Sequence, residues 1–315
     1  MVYSELFNKF HGWSGYSQSS IFLPMDSDKY YFITPAYHQG NACWGCHFDL
    51  MLYNVIDMKA NNGAGKVTKK MVHFLESTLL SRTQMMACRH ANGKDWWLLK
   101  QGGDSNIVYK FLFTQDSVYN YGRQVFDEPY WSIWDTRGQS VFNQVGNQYA
   151  TTCQGDFENN LVFLADFDRC YGTLSNQKTI QVPFVSWNNP ADTNLKDKNS
   201  VGLAFSPNGR FLYCILAYNI FQYDLQDNTF YHVAGLDTSF LQFQNYQTAY
   251  LAPNNKIYIG NFGGTGKQMS VIDNPDVKGA GCNFCPKCLR TDSLFYGYLG
   301  TPPCMPNYGL GARVC

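Results

Sequence analysis

The chain has no excess of charge of either sign. Its 315 residues include 24 basic and 24 acidic side chains, and charged residues make up only 15% of the total. A balanced charge creates no attraction to nucleic acid or to an anionic membrane surface. Long apolar runs are also missing, since none approaches the roughly 18 to 20 residues that a membrane-spanning helix needs. We therefore expect neither a nucleic-acid partner nor a membrane span.

Helical periodicity and an export signal are absent too. No segment keeps apolar residues at a spacing of about 3.6 over three turns. The opening stretch MVYSELFNKFHGW lacks the basic region and the apolar region of a signal peptide. Yet 11 cysteines are many for a chain in a reducing compartment. We expect either an exported chain with disulfides, whose longer precursor carries the signal, or cysteines that hold a metal or cofactor.

Aromatic residues are abundant, at 17% of the chain, and they favour sheets in which rings pack across strands. Residues 201–225 show the pattern most clearly. The short apolar run 211–216 is typical of a strand buried on both faces. The sequence Ser-Pro-Asn-Gly at 206–209 predicts a tight turn before it. A unit of three such strands cannot bury both faces alone, so it needs neighbours like itself.

Four further clusters of aromatic-rich strands and turns supply those neighbours. The five clusters lie near residues 20–57, 85–116, 156–168, 201–225 and 250–273. Their period of about 45 to 65 residues is in the range of propeller blades with four strands each. We predict an all-β fold, a β-propeller with about five blades encoded here that could be part of a seven-bladed ring. The predicted boundaries are blades over residues 1–273 and a Cys/Pro-rich tail over 274–315 that closes or packs on the propeller.

Several segments follow an order that resembles a known family. They are HANGKDWW at 90–97, DFDRC at 166–170, and the stretches 203–212, 251–259 and 302–308. Their order is similar to that of a family of secreted β-propeller proteins from Bacteroidetes, many of which carry a C-terminal sorting domain for type IX secretion. The resemblance implies an extracellular or cell-surface location, a role in binding or scaffolding, and blades before the strand near Ile21. It offers no catalytic residues to transfer.

The motif Cys43-Trp44-Gly45-Cys46-His47 matches the attachment signature of haem c. In that chemistry two thiols form thioethers with the vinyl groups and the histidine becomes an iron ligand. Cys43, Cys46 and His47 are therefore candidate haem-binding residues. A short disulfide in a loop is the alternative, and a chain without cofactor is the main expectation.

A second cysteine cluster lies in the tail. Cys282, Cys285 and Cys288 form C-x-x-C-x-x-C, and Cys304 could supply a fourth metal ligand. In an exported chain such thiols are more often oxidised to disulfides that hold a loop-rich segment. We expect disulfides, with a metal site as the alternative. Because 11 is odd, at least one cysteine lacks a partner within the chain, and Cys214 is the best candidate for a buried free thiol.

Acidic and basic residues elsewhere invite catalytic hypotheses. Asp166 and Asp168 share one face of a strand, as a general acid/base pair would, although capping of turns is the more common role of such residues. His90 precedes a turn, where we expect it to bond the loop backbone. Trp96 and Trp97 should place one ring on each face of their strand.

These observations favour a non-catalytic scaffold or binding module over an enzyme. We expect a protein partner, self-assembly or a glycan at the loop-bearing faces. One alternative is a c-type electron-transfer protein that uses Cys43, Cys46 and His47. A second alternative is a propeller-type enzyme that acts on glycans.

Overall fold

The structure is a computed structural model, and it describes residues 10–11, 18–26, 28–38, 48–76, 78–103, 106–126, 138–152, 160–183, 200–235, 246–261, 268–290 and 305–315. Within these ranges the regular structure is β, apart from a short 3-10 helix at Gly279–Cys282. None of the described segments forms a helix long and apolar enough to cross a membrane. The prediction of an all-β fold is confirmed.

Five antiparallel sheets follow one another along the chain. The first contains β1 (Phe10–His11), β2 (Ile21–Pro24), β3 (Lys29–His38), β4 (Leu50–Asp57) and β5 (Lys66–Leu75). The second contains β6 (Leu80–Arg89), β7 (Trp96–Gly102), β8 (Ile107–Phe113) and β9 (Val118–Val125), and the third β10 (Ser140–Phe142), β11 (Gln148–Thr152), β12 (Leu161–Asp168) and β13 (Thr173–Gln181). The fourth contains β14 (Ser200–Phe205), β15 (Phe211–Leu216), β16 (Asn219–Asp224) and β17 (Thr229–Gly235), and the fifth β18 (Tyr246–Leu251), β19 (Ile257–Asn261), β20 (Gln268–Ile272) and β21 (Phe284–Arg290).

Strands pair in chain order within each sheet, as β2-β3-β4-β5 and β6-β7-β8-β9 show, while β1 adds to β3. The five sheets correspond to the five strand clusters of the sequence. The boundary that we predicted at residue 273 lies inside the fifth sheet, because β21 pairs with β20. Residues assigned to a tail thus complete a sheet.

The chain divides into two compact units. The first contains Met1–Thr136, Phe167–Leu174 and Met305–Cys315, and the second contains Arg137–Asp166 and Ser175–Cys304. The chain therefore leaves the first unit and returns to it twice.

In the second unit, the fourth sheet is covered on both faces. Alternate residues of β15 point to opposite sides: Leu212 and Cys214 belong to one apolar cluster with residues of the third sheet. Tyr213 and Ile215 belong to another with residues of the fifth sheet. Every residue of β15 is buried, so the expectation of a strand covered on both faces is confirmed. Cys214 is a buried free thiol, as predicted.

The turn between β14 and β15 also agrees with the sequence. Gly209 has φ of +75°, and its N–H donates to the carbonyl of Ser206 at 2.9 Å. The Ser206 hydroxyl accepts the N–H of Phe211 at 3.0 Å. Only glycine adopts this φ without a steric penalty, which explains its position at the corner.

Gln139 joins three sheets of the second unit. It lies just before β10, and its side-chain oxygen accepts the N–H groups of Leu203 in β14 (3.0 Å) and Ala249 in β18 (3.1 Å). Its amide NH₂ donates to the carbonyl of Ala249 at 2.6 Å. The side chain is fully buried. One amide therefore satisfies backbone groups of the first strands of two neighbouring sheets.

In the first unit, rings from two sheets meet. Phe74 of β5 packs edge-on against Phe111 and Phe113 of β8, with centroids 4.9 and 5.4 Å apart. Trp96 and Trp97 are both buried and reach different elements, as predicted. The Trp96 indole N–H donates to the carbonyl of Pro24 at 3.1 Å, and that of Trp97 to the carbonyl of Arg169 at 2.9 Å.

The last residues return to this unit and are held there by a disulfide and by hydrogen bonds. A disulfide joins Cys170 to Cys315, 145 residues apart in sequence. The buried guanidinium of Arg169 donates to the carbonyl of Gly311 at 2.5 Å and to that of Arg89 at 2.8 Å. The segment 311–315 is thus attached to the turn that follows β12.

We predict that Gln139→Leu lowers the free energy of unfolding by about 2 to 5 kcal/mol, because each buried backbone group that loses its partner costs about 1–3 kcal/mol. Urea denaturation followed by tryptophan fluorescence measures the change. The matched control is Gln226→Leu at an exposed position, which should shift stability by less than about 0.5 kcal/mol. Equal effects of the two substitutions would contradict the role given to Gln139.

Candidate functional site

The first half of β6 departs from regular pairing. Leu80 lies opposite Gly102 and Met85 opposite Lys100, so residues 81–84 oppose the single residue Gln101. Such a bulge redirects side chains that a regular strand would send alternately to two faces. The four bulged residues are all polar and buried: Ser81, Arg82, Thr83 and Gln84.

A lysine from the neighbouring strand points into this bulge. The ammonium or amine nitrogen of Lys100 lies 3.2 Å from the hydroxyl oxygen of Ser81, and it also donates to the carbonyl of Thr83. The Ser81 hydroxyl reaches the same carbonyl at 2.8 Å. Both Ser81 and Lys100 are 0% exposed. The result is a compact, water-excluded serine–lysine pair.

Burial sets the protonation of this lysine. Desolvation lowers the pKa of Lys100 well below its ordinary value, because a charged amine loses its hydration inside the protein. A lysine with a lowered pKa loses its proton at a lower pH than a solvated lysine does. In its neutral form the nitrogen has a lone pair that can accept the Ser81 proton, once the hydroxyl turns from the Thr83 carbonyl to which it donates.

Lys110 on β8 makes a useful comparison. Burial lowers its pKa as well. It lies opposite Leu99, whereas Lys100 lies opposite Tyr109. Residues directly opposite one another share a face of the sheet, so the two lysines belong to opposite faces. Of these two lysines, Lys100 is the one that forms a hydrogen bond with a serine hydroxyl.

A serine hydroxyl within hydrogen-bond distance of a neutral amine is a nucleophile–base arrangement, and serine–lysine pairs are one variant of the catalytic triad. Sequence reasoning missed it. The available signals were a lone lysine at the end of the run WWLLK and the polar stretch SRTQ before MMAC. We predicted the strand to begin at Met85, which left Ser81 outside it, whereas β6 begins at Leu80.

The haem candidates Cys43, Cys46 and His47 lie outside the described residues, so this assignment stays a prediction. Within the ranges given above, no group of three or more His, Cys, Asp or Glu residues could hold a metal ion.

The second cysteine cluster is divided between core and surface. Cys282 is buried between the fourth and fifth sheets, and burial raises the pKa of its thiol. Cys285 is half-buried and Cys288 exposed, both on β21. All three are free thiols, so the expectation of disulfides at these positions is wrong. Cys304, the fourth proposed metal ligand, lies outside the described part of the chain.

The other polar candidates have structural roles. The carboxylate of Asp168 accepts the N–H groups of Cys170 at 2.7 Å and Tyr171 at 3.3 Å, which caps the turn after β12. Asp166 accepts the side-chain amide of Asn176 at 2.8 Å. His90 accepts the N–H of Asn92 at 3.0 Å, the loop contact that we predicted. The preference for turn capping over an acid/base pair is thus supported at Asp168.

Comparison with known proteins gives a likeness of fold. No protein-family model matches the chain, and no curated protein does. Among solved structures, a periplasmic gluconolactonase from Pseudomonas aeruginosa aligns with a TM-score of 0.52 at 12% identity, over 80% of this chain and 67% of its own. A protein from Lactobacillus plantarum aligns with a TM-score of 0.50 at 12% identity, over 81% of this chain and 66% of its own. The chain thus spans about two thirds of the length of these structures.

This likeness corrects the prediction of a non-catalytic scaffold or binding module that is not an enzyme. We derived that prediction from the repeated strand clusters and from a resemblance that offered no catalytic residues to transfer. A gluconolactonase has a similar arrangement, so the fold gives no ground for assigning a scaffold. The prediction also omitted the serine–lysine pair, which does not need a carboxylate.

We predict that Lys100→Met changes how stability depends on pH. Because the folded-state pKa of Lys100 lies below its unfolded value, the unfolded chain binds an extra proton between the two values. Wild-type stability should therefore rise with pH by about 1.4 kcal/mol per unit up to about pH 10. Lys100→Met removes this contribution, so the stability difference, variant minus wild type, falls as pH rises from 7 to 10.

Urea denaturation at several pH values measures that difference. The contribution of tyrosine ionisation to stability is the same in both proteins and cancels in the difference. Since Lys110 is less completely buried than Lys100, Lys110→Met should show a smaller slope. A difference that stays constant from pH 7 to pH 10 would mean that Lys100 is charged in the folded protein.

Proposed function

We propose that this protein is a hydrolase of lactones, with Ser81 as nucleophile and Lys100 as general base. The observation that carries the proposal is the 3.2 Å contact between the Ser81 hydroxyl and the Lys100 nitrogen in a fully buried site. The likeness in fold to a periplasmic gluconolactonase supports the choice of a cyclic ester as substrate.

In the first half of the reaction, the neutral amine of Lys100 takes the Ser81 proton while the serine oxygen attacks the lactone carbonyl carbon. The ring C–O bond then breaks. The released ring oxygen takes the proton from the Lys100 ammonium. The product of this half is an ester between the Ser81 oxygen and the opened hydroxy acid.

In the second half, Lys100 takes a proton from water as the water oxygen attacks the ester carbonyl. The bond to the Ser81 oxygen breaks, and the proton returns to that oxygen. The sum is one lactone and one water converted to one hydroxy acid. Both halves need an uncharged lysine, and the lowered pKa of Lys100 favours that form.

Access to the pair comes from the bulge. Residues 81–84 are not in regular ladder pairing with β7, and displacement of this segment is the route by which a substrate would reach the serine. Gln84 has φ of +53°, a conformation that non-glycine residues adopt at a cost of order 1–3 kcal/mol. Movement of this segment would release that strain and uncover the serine.

We further propose that the five sheets are blades of one β-propeller and that the protein works outside the cytoplasm. The five antiparallel sheets, each with four strands paired in chain order, support the first point. The Cys170–Cys315 disulfide supports the second, because disulfides persist in oxidising compartments. The gluconolactonase is itself described as periplasmic.

The test is hydrolysis of glucono-δ-lactone and other aldonolactones, followed by acid release at constant pH and corrected for spontaneous opening. The wild-type protein should hydrolyse at least one member of the panel. Ser81→Ala and Lys100→Met should each lower kcat by at least about 100-fold. The double variant should be no slower than the single variants, since the two groups act as a unit.

Two variants control for loss of packing. Lys110→Met removes a second desolvated lysine from the opposite face of the sheet, and Ser140→Ala removes another buried serine hydroxyl. Both should keep kcat within about threefold of wild type. A wild-type protein inactive on the whole panel, or full activity in Ser81→Ala, would refute the proposal.

A further inference from the structure

A second irregular segment interrupts β21, the last strand of the fifth sheet. Met269 lies opposite Leu289 and Val271 opposite Cys285, so residues 286–288 oppose the single residue Ser270. Lys287 has φ of +52°, and its N–H donates to the Ser270 hydroxyl at 3.1 Å. Pro286 has no N–H to contribute to a ladder, which suits a bulge on an edge strand. The sequence Cys-Pro-Lys-Cys therefore forms a bulge with a cysteine at each end.

The bulge places the Cys288 thiol against the backbone of Cys285. The Cys288 thiol donates to the carbonyl of Cys285 at 3.4 Å. Partial desolvation and the neighbouring Cys285 thiol raise the pKa of Cys288 to about 11. In an uninterrupted strand, residues three apart point to opposite faces, so the bulge accounts for this proximity.

Exposure separates this pair from the other free cysteines. Cys88, Cys214 and Cys282 are buried, whereas Cys285 is half-buried and Cys288 exposed. A thiol must reach solvent to attack a soluble disulfide. Among the free cysteines of the described segments, Cys285 and Cys288 are the two that reach solvent, and they stand at the two ends of one bulge.

We propose that Cys285 and Cys288 form a dithiol site that exchanges reversibly with glutathione-type disulfides. One thiol, as its thiolate, attacks a sulfur of the glutathione disulfide and releases one glutathione thiolate. The second thiol then attacks the mixed disulfide and releases the other glutathione. The protein loses two electrons and two protons, and one glutathione disulfide becomes two glutathione thiols.

The experiment uses the intact protein, incubated with mixtures of oxidised and reduced glutathione and then alkylated. Trypsin cleaves after Lys287, between the two cysteines, so a Cys285–Cys288 disulfide links two peptides that separate on reduction. We expect the linked pair to accumulate with the fraction of oxidised glutathione and to disappear again in excess reduced glutathione. Its rate of formation should rise between pH 7 and pH 9, as the thiolate becomes more populated.

Substitutions of single cysteines identify which two sulfur atoms form the disulfide. Cys282 lies on the same tryptic peptide as Cys285, so Cys282→Ala must retain the linked pair and Cys285→Ser must lose it. Cys214→Ala, at a buried thiol, should behave as wild type. Two outcomes would overturn the proposal. In the first, Cys285 and Cys288 are each alkylated, or each carry their own glutathione, at every ratio of oxidised to reduced glutathione. In the second, the linked pair of peptides persists in Cys285→Ser. Neither readout depends on hydrolase activity, so this test is independent of the proposed function.

Discussion

The constraint on which the rest of this structure depends is the burial of polar groups on the first strands of its sheets. A sheet covered on both faces cannot use water to satisfy these groups, so every donor and acceptor needs a partner inside the protein. In the second unit Gln139 provides such partners for Leu203 and Ala249. In the first unit Lys100 provides them for the bulge that contains Ser81 and Thr83. The same requirement is met by a structural amide in one unit and by a titratable amine in the other.

That difference has a chemical consequence. A buried amide is inert, whereas a buried amine gives up its proton at a lower pH. Desolvation therefore does two things at Lys100: it destabilises the folded chain near neutral pH and it creates a base beside a hydroxyl. Proteins commonly accept such local costs where chemistry takes place. Our sequence-based preference for a scaffold overlooked this route, because Ser81 and Lys100 lie on different strands and the sequence alone does not bring them together.

Much of the fold was predictable from short windows of sequence. The run 211–216 and the turn at 206–209 each determine their own conformation, through aromatic and β-branched residues and through proline and glycine. Strand order followed from the repetition of these windows. What short windows do not contain is register. The bulges opposite Gln101 and Ser270 arise from pairing with a partner strand, and they decide which side chains meet.

The cysteines illustrate the same limit. Composition indicated disulfides but could not give their connectivity, and we placed them at Cys282, Cys285 and Cys288. The described disulfide instead joins Cys170 to Cys315, and the partner of Cys170 depends on how residues 305–315 return to the first unit. The burial of Cys214 was predictable because its neighbours on β15 are all apolar.

The Cys170–Cys315 disulfide also closes residues 170–315 into a covalent loop. The covalent bridge joins two residues that are 145 positions apart in sequence. Tension applied along the polypeptide from outside this loop would travel through two sulfur atoms and leave residues 171–314 unstretched. The residues between Cys170 and Cys315 would add no length under such a load until a reductant opened the bridge.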